Sequence, residues 1–198
     1  MTGTAIFGDV NGRSTDVDLG KDLTPYRYVL TRENLLSTHS VRGVSSDRPL
    51  VVIGTNPSIA TADLNDPTIK RDMGFAISWG CGRLVKVNLH GWRDTDPKNV
   101  QAAREAGRDI VGVDNVTHLK EAMISAWRYG GLVLCAWGKN ASKATVDHFM
   151  VIVDAALEVG CPSDLQPLYC IKTNKDGSPI HTLYQPAASR PIPWAWQS

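Results

Sequence analysis

Val51-Val52-Ile53-Gly54-Thr55-Asn56-Pro57-Ser58 decides how the rest of the chain is read. An unbroken apolar, β-branched run ending on glycine and then on polar residues fits a strand buried on both faces, the kind parallel sheets use. Three later segments repeat the form: Val85-Lys86-Val87-Asn88-Leu89, Leu132-Val133-Leu134-Cys135-Ala136-Trp137-Gly138-Lys139, and Ile180-His181-Thr182-Leu183. Ligands of open α/β sheets bind in the crevice beyond the carboxyl ends of the strands. Polar residues set repeatedly at or just past apolar runs therefore predict one cleft.

Working toward the C-terminus, Asp66-Pro67-Thr68 reads as a helix start, with proline in the first turn where its missing N–H is harmless. The helix is expected over 68–79, stopping at Gly80, and the second central strand over 84–89. A short helix follows over 98–107. A longer one over 114–129 places Val116, Leu119, Met123 and Trp127 three or four residues apart, on one face. Gly130-Gly131 ends it, a third strand covers 132–136, a helix 142–159, and a last strand 168–172. The tail over 186–196, rich in proline and tryptophan, reads as irregular chain. Toward the N-terminus, residues 1–48 read as an extension packed on the domain, with a hairpin turning at Asn11-Gly12 and an edge strand over 26–31. Residues 49–198 form one α/β unit. Strands alternating with helices predict a three-layer α/β/α fold with a mostly parallel central sheet. There is no internal repeat and no low-complexity stretch.

Composition narrows the function. Hydrophobic residues are 42% of the 198, enough for an ordinary core. No apolar stretch approaches the ~20 residues that cross a bilayer. The start, Met1-Thr2-Gly3-Thr4, lacks the basic and apolar regions of a secretory signal. The four cysteines, Cys81, Cys135, Cys161 and Cys170, show neither CxxC pairing nor metal-finger spacing, so a reducing, cytoplasmic setting is expected, with no metal and no organic cofactor. Twenty-one basic against twenty acidic residues give a net charge of +1. A protein that coats nucleic acid would be far more basic, whereas an enzyme making a few phosphate contacts need not be. A monomer is expected.

Each polar segment has a chemical and a structural reading. Asn56 can hold a water or a carbonyl oxygen, and Asp63 or Asp66 can orient or deprotonate that water; alternatively the segment is a strand-to-helix turn with Asp66 capping the helix. Asn88 both donates and accepts, so it can read the paired edge of a base, or it can bond the adjoining loop. Arg93 suits a phosphate or a structural carboxylate. Trp137-Gly138-Lys139-Asn140 opens a helix whose N-terminus attracts anions, with Lys139 and Lys143 adding charge. His181, after a loop and before a hydroxyl residue, can stabilise an anion or donate a proton, or be a satisfied structural histidine. His39, His118 and His148 read as solvated. Phe75, Trp79, Trp92, Trp194 and Trp196 are candidates to stack on an extruded base or to be core.

With those residues in view, the chain resembles the DUF1643 family through Tyr26-Arg27-Tyr28-Val29-Leu30, Asn56-Pro57-Ser58, Asp66-Pro67-Thr68-Ile69-Lys70-Arg71, Val87-Asn88-Leu89 with Arg93, Ala136-Trp137-Gly138, and Gly177-Ser178-Pro179 with His181. The family name carries no activity. The order GxNP, strand-end Asn, apolar strand with WGK, then His before Leu is also distantly similar to the uracil-DNA glycosylase superfamily, most of all its mismatch- and thymine-specific branch. That resemblance implies a glycosylase-like α/β/α fold. It makes Asn56 the water-positioning residue, Asn88 the base reader and His181 the group that steadies the departing base. Ser58 stands where the branch has glycine, Thr182 follows His181 where proline then serine is usual, and Ile59-Ala60 replaces the tyrosine that screens out substituted pyrimidines.

The expected function is hydrolysis of the N-glycosidic bond of a flipped-out, 5-substituted pyrimidine in DNA, such as a bulky hypermodified cytosine of phage DNA. Asn56, Asp66, Asp63 and His181 would be catalytic. Asn88, Phe75, Ser58 and Trp79 would bind the base, and Lys70, Arg71, Arg93, Lys139 and Lys143 the DNA. The rivals are an N-glycosidase or transferase acting on a free nucleoside or nucleotide, and a non-catalytic module binding a modified nucleotide.

Overall fold

The structure, a computed structural model, describes residues 3–8, 14–15, 25–36, 47–58, 60–160 and 167–196. Eight strands occur among them: β1 (Gly3–Gly8), β2 (Ser14–Thr15), β3 (Tyr26–Arg32), β4 (Pro49–Gly54), β5 (Arg83–Asn88), β6 (Leu132–Cys135), β7 (Tyr169–Cys170) and β8 (Ile192–Pro193). The α-helices are α1 (Pro67–Ser78), α2 (Pro97–Glu105), α3 (Asn115–Arg128) and α4 (Lys143–Gly160), and a 3₁₀ turn spans Thr182–Tyr184. The class is α/β.

One sheet runs in the order β2-β1-β3-β5-β4-β6-β7-β8. Its centre, β5-β4-β6-β7, is parallel, while both flanks are antiparallel. The sheet is therefore mixed, not mostly parallel. The reason lies at the N-terminus. The segment expected as an edge strand, β3, is interior: it pairs with β5 through Leu30–Lys86 and Thr31–Val85 and with β1 along its other side. β1 also pairs with β2, as a hairpin requires, but the Asn11-Gly12 turn lies outside the described residues. The tail expected to be irregular supplies β8, which pairs with β7.

β4 and its neighbours set the position of the cleft. From β4 the chain passes through α1 to β5 on one side, then through α2 and α3 to β6 on the other. Such a reversal opens a crevice at the carboxyl ends of the strands, because the following loops diverge there. Strand alternation divides the core between the two faces. Val51, Ile53, Val85 and Val87 pack with Leu119, Met123 and Trp127 of α3 and Phe149 of α4. Leu50, Val52, Leu84 and Leu134 pack with Ile69, Met73, Phe75 and Ala76 of α1. Each such side chain, fully buried, contributes about 1.5–3 kcal/mol of transfer free energy.

The helix starts follow from local chemistry. Asp66 Oδ1 accepts the Ile69 N–H at 2.8 Å, with Pro67 at the first helical position; Asp96 and Pro97 repeat the device at α2. Along α3 the inward face is Leu119, Ala122, Met123, Ala126 and Trp127, so Val116, expected on that face, is instead 37% exposed. Cys81, Cys135 and Cys170 are free and buried, and burial pushes each thiol above its ordinary value; Cys161 lies outside the described residues. No helix among the described residues is long and apolar enough to cross a membrane.

Candidate active site

Main-chain bonds assemble the site from three strand ends. Leu89 N–H donates to the Gly54 carbonyl and His90 N–H to the Thr55 carbonyl, each at 2.9 Å, joining the ends of β5 and β4. Thr55 Oγ1 donates to the Trp137 carbonyl at 2.7 Å, tying β4 to the segment after β6. Gly138, at φ +67°, donates its N–H to the Pro179 carbonyl at 2.9 Å and so docks the His181 segment against β6. A side chain there would strain a backbone that glycine adopts freely.

The cavity so formed, about 190 Å³, is lined by Gly54, Asn56, Ser58, Lys86, Asn88 and His181, with Arg27, Thr55, Thr68, Asp94, Thr95 and Asn140 completing the wall. Asn56, Asn88 and His181, far apart in sequence, therefore meet. Asn56 Nδ2 donates to the carbonyls of Asp94 (2.7 Å) and Pro57 (3.1 Å), which fixes the side chain and leaves its Oδ1 as the acceptor. Asn88 is 1% exposed, and its Nδ2 has no hydrogen-bond partner among the described residues. A buried donor left unpaired costs about 1–3 kcal/mol, so this amide is a donor in want of an acceptor.

His181 Nδ1 accepts the Leu183 N–H at 3.2 Å, which puts the proton of the neutral ring on Nε2. Burial, and after it the Lys86 ammonium, hold His181 below the ordinary imidazole value, while Asp72 and Asp66 pull the other way. The ring is a neutral donor at neutral pH.

Lys86 is the residue that sequence reading passed over. On β5 it shares a face with Asn88, and its Nζ meets Asp72 Oδ2 of α1 at 3.0 Å, both side chains buried. Asp72 Oδ1 has no partner among the described residues. Gly54 makes the arrangement possible: a Cβ there would stand 2.6 Å from Asn88 Oδ1 and 3.3 Å from Lys86 Cε. The signal was present in the sequence as a lone lysine inside a valine run.

Other expected site residues lie elsewhere. Asp66 is 8% exposed and caps α1, and Asp63 is exposed and close enough to Arg32 to act on its charge; neither lines the cavity. The acidic residue that does is Asp94, whose main-chain carbonyl accepts from Asn56 and whose Oδ1 accepts from the Asp96 N–H (2.9 Å) and Asn99 Nδ2 (3.1 Å). Phe75 and Trp79 stack on each other at 5.0 Å inside the α1 core, and Trp79 Nε1 donates to the Ser189 carbonyl. Being core, neither reaches the cavity. Trp92 sits edge-on to Tyr26, and Trp194 edge-on to Trp137. Ser58 does line the cavity, its carbonyl accepting from Arg27 at 3.3 Å.

The expected cations divide among separate surfaces. Lys70 and Arg71 line a different hollow, about 430 Å³, with Phe75 and Leu183. Lys143 pairs with Asp147 at 2.9 Å and lies 5.9 Å from the centre of the Trp196 ring. Lys139 is exposed and acts electrostatically on Asp176. Arg93 is half-buried where its N–H donates to the Pro25 carbonyl.

A family model described as "Protein of unknown function (DUF1643)" matches residues 27–183. No curated protein and no solved structure matches. The matched span begins at Arg27 and passes His181, so it takes in every residue lining the cavity. With most of its length and the whole of this site inside the match, the chain belongs to the DUF1643 family.

Proposed function

We propose that this cavity hydrolyses the N-glycosidic bond of a 5-substituted pyrimidine nucleotide in DNA, on a three-layer fold akin to that of the uracil-DNA glycosylases. The observation that carries the reading is the meeting of Asn56, Asn88 and His181 around one hollow at the carboxyl edge of β4 and β5. Their roles follow from which atoms are free. Asn88 Nδ2 donates to an acceptor on the base edge. His181 Nε2–H donates to the base oxygen that gains negative charge as the C1′–N bond parts. Asn56 Oδ1 accepts from the attacking water, whose oxygen bonds to C1′ while its proton passes to Asp94; this replaces the expected use of Asp63 or Asp66. Stabilising the departing anion is the dominant effect, since preorganised donors in a dry site are worth more than in water. That Ile59-Ala60 follows the first motif, where the resemblance has a tyrosine that screens out substituted pyrimidines, supports a substrate substituted at C5.

The test is release of base and alkali-labile nicking on duplexes carrying 5-substituted cytosine or thymine, against unmodified duplex. Modified duplex alone should be cut. No nick on any modified duplex overturns the DNA reading.

One observation favours a second reading, action on a free nucleotide: Lys70, Arg71, Lys139 and Lys143 do not ring the cavity. Free base appearing from the mononucleotide, with no salt-dependent binding to duplex, would select it.

A further inference from the structure

Beside the cavity, on the other side of Asn56, two more hollows run along the carboxyl edge of the sheet. The nearer, about 90 Å³, is polar: it is lined by Thr55, Asn56, Arg104, Asn140, Ser142 and Thr145, with His90, Val100, Gln101 and Ile110 completing it. It lies at the N-terminus of α4, where Ser142 Oγ caps the Thr145 N–H at 3.2 Å. The farther, about 300 Å³, has an apolar floor of Leu89, Ile110, Leu119, Phe149 and Ile152, with Arg104 and Arg108 exposed at its mouth. Its one carboxylate, Asp109, is engaged, with Oδ1 accepting the N–H groups of Val111 and Gly112. The hollows share His90, Arg104, Ile110 and Thr145, so they form one trough.

His90 is the independent sign of a ligand. It lines both hollows, is 7% exposed, and its Nδ1 has no partner among the described residues. Burial, then Arg104, push its pKa down to about 4, so the ring is neutral and retains one donor and one acceptor. A small polar hollow at the start of an 18-residue helix suits an anion: the first N–H groups lack helical partners and the dipole favours negative charge. The Arg104 guanidinium adds a forked donor matched to phosphate. The apolar hollow is of a size that takes a flat ring system.

We propose that this trough is a nucleotide-binding site distinct from the hydrolytic cavity. The phosphate sits between Arg104 and the N-terminus of α4, and the base lies on Leu89, Leu119, Phe149 and Ile152. The proposal stands whether or not the neighbouring cavity cleaves a glycosidic bond. The same chemistry is offered by a free nucleotide or by the next nucleotide of a strand.

Calorimetric titration of the full chain with 5′-dAMP, deoxyadenosine, inorganic phosphate and a short single-stranded oligonucleotide tests it. The mononucleotide should bind saturably, and deoxyadenosine about tenfold or more weaker. Arg104→Gln, at an exposed position, should weaken mononucleotide binding by about tenfold or more. Ala144→Phe, also at an exposed position, should abolish it by filling the hollow. Asn88→Ala and His181→Ala should leave it unchanged. Tighter binding of the oligonucleotide assigns the site to a strand, and weaker binding to a free nucleotide. Equal affinity for nucleotide and nucleoside, indifference to both trough variants, loss of binding in Asn88→Ala or His181→Ala, or no binding of the mononucleotide overturns the proposal.

Discussion

The two faces of β5 use one strand for opposite purposes. Val85 and Val87 are sealed against α3 and carry no polar atom beyond the main chain. On the other face the side chains change in three steps, from Leu84 in the core, through Lys86 held by Asp72, to Asn88 with an unsatisfied amide at the cavity. The first face has every group satisfied. The second grows more polar toward the carboxyl end and finishes on a buried donor with no partner among the described residues. A single residue step along a strand thus separates the face that holds the fold from the face that lines the cavity.

The largest effect expected from breaking that contrast is at the ion pair. Asp72→Ala leaves the Lys86 ammonium buried without its partner and should cost about 3–5 kcal/mol in denaturant unfolding. The double variant Asp72→Leu/Lys86→Met should recover most of the loss, because apolar residues of similar volume replace a buried pair at little cost. If the double variant is as unstable as the single, the pair is not an isolated ionic unit.

Next in size, His181→Ala should slow single-turnover base release by about 10²–10³-fold, as loss of an oxyanion donor does. Its melting temperature should change little, since the ring lines the cavity and is not one of the packed core side chains. Equal loss of stability and rate would place His181 in the fold instead.

The pH dependence of stability sharpens the comparison at the strand's end. His90 stays neutral in the folded protein down to about 4, whereas in the unfolded chain it titrates near ~6.5. The unfolded state then binds more protons between those values. Its contribution to stability is complete above ~6.5 and lost as pH falls toward 4, at up to about 1.4 kcal/mol per pH unit. Chemical denaturation across that window should show this slope, and His90→Phe should flatten it. The smallest effect belongs to Asp66: as a cap, Asp66→Ala should cost about 1 kcal/mol of stability. A rate loss as large as that of His181→Ala would restore its expected catalytic part.

Periodicity and punctuation made the elements legible. Asp66-Pro67 marked the start of α1, Gly130-Gly131 the end of α3, and the valine runs the parallel centre, because these signals act within a few residues. Partners across the sheet were less legible. The Tyr26–Arg32 strand alternates as an edge strand would, and only its pairing with β1 makes it interior. Phe75 and Trp79 looked available for stacking because helical spacing does not say which neighbour covers a ring. Asn56, Asn88 and His181 were found because each ends an apolar run. Lys86 escaped because its meaning depends on Asp72, fourteen residues earlier on a different element.

The margins of the sheet have a consequence for how the molecule lives beside its own copies. β2 and β8 are each two residues long, and β8 ends on Pro193, which has no N–H to give. Among the described residues, each of these two outermost strands offers a neighbour only a two-residue row from which to extend the ladder, the kind of opening from which fibrous self-association grows.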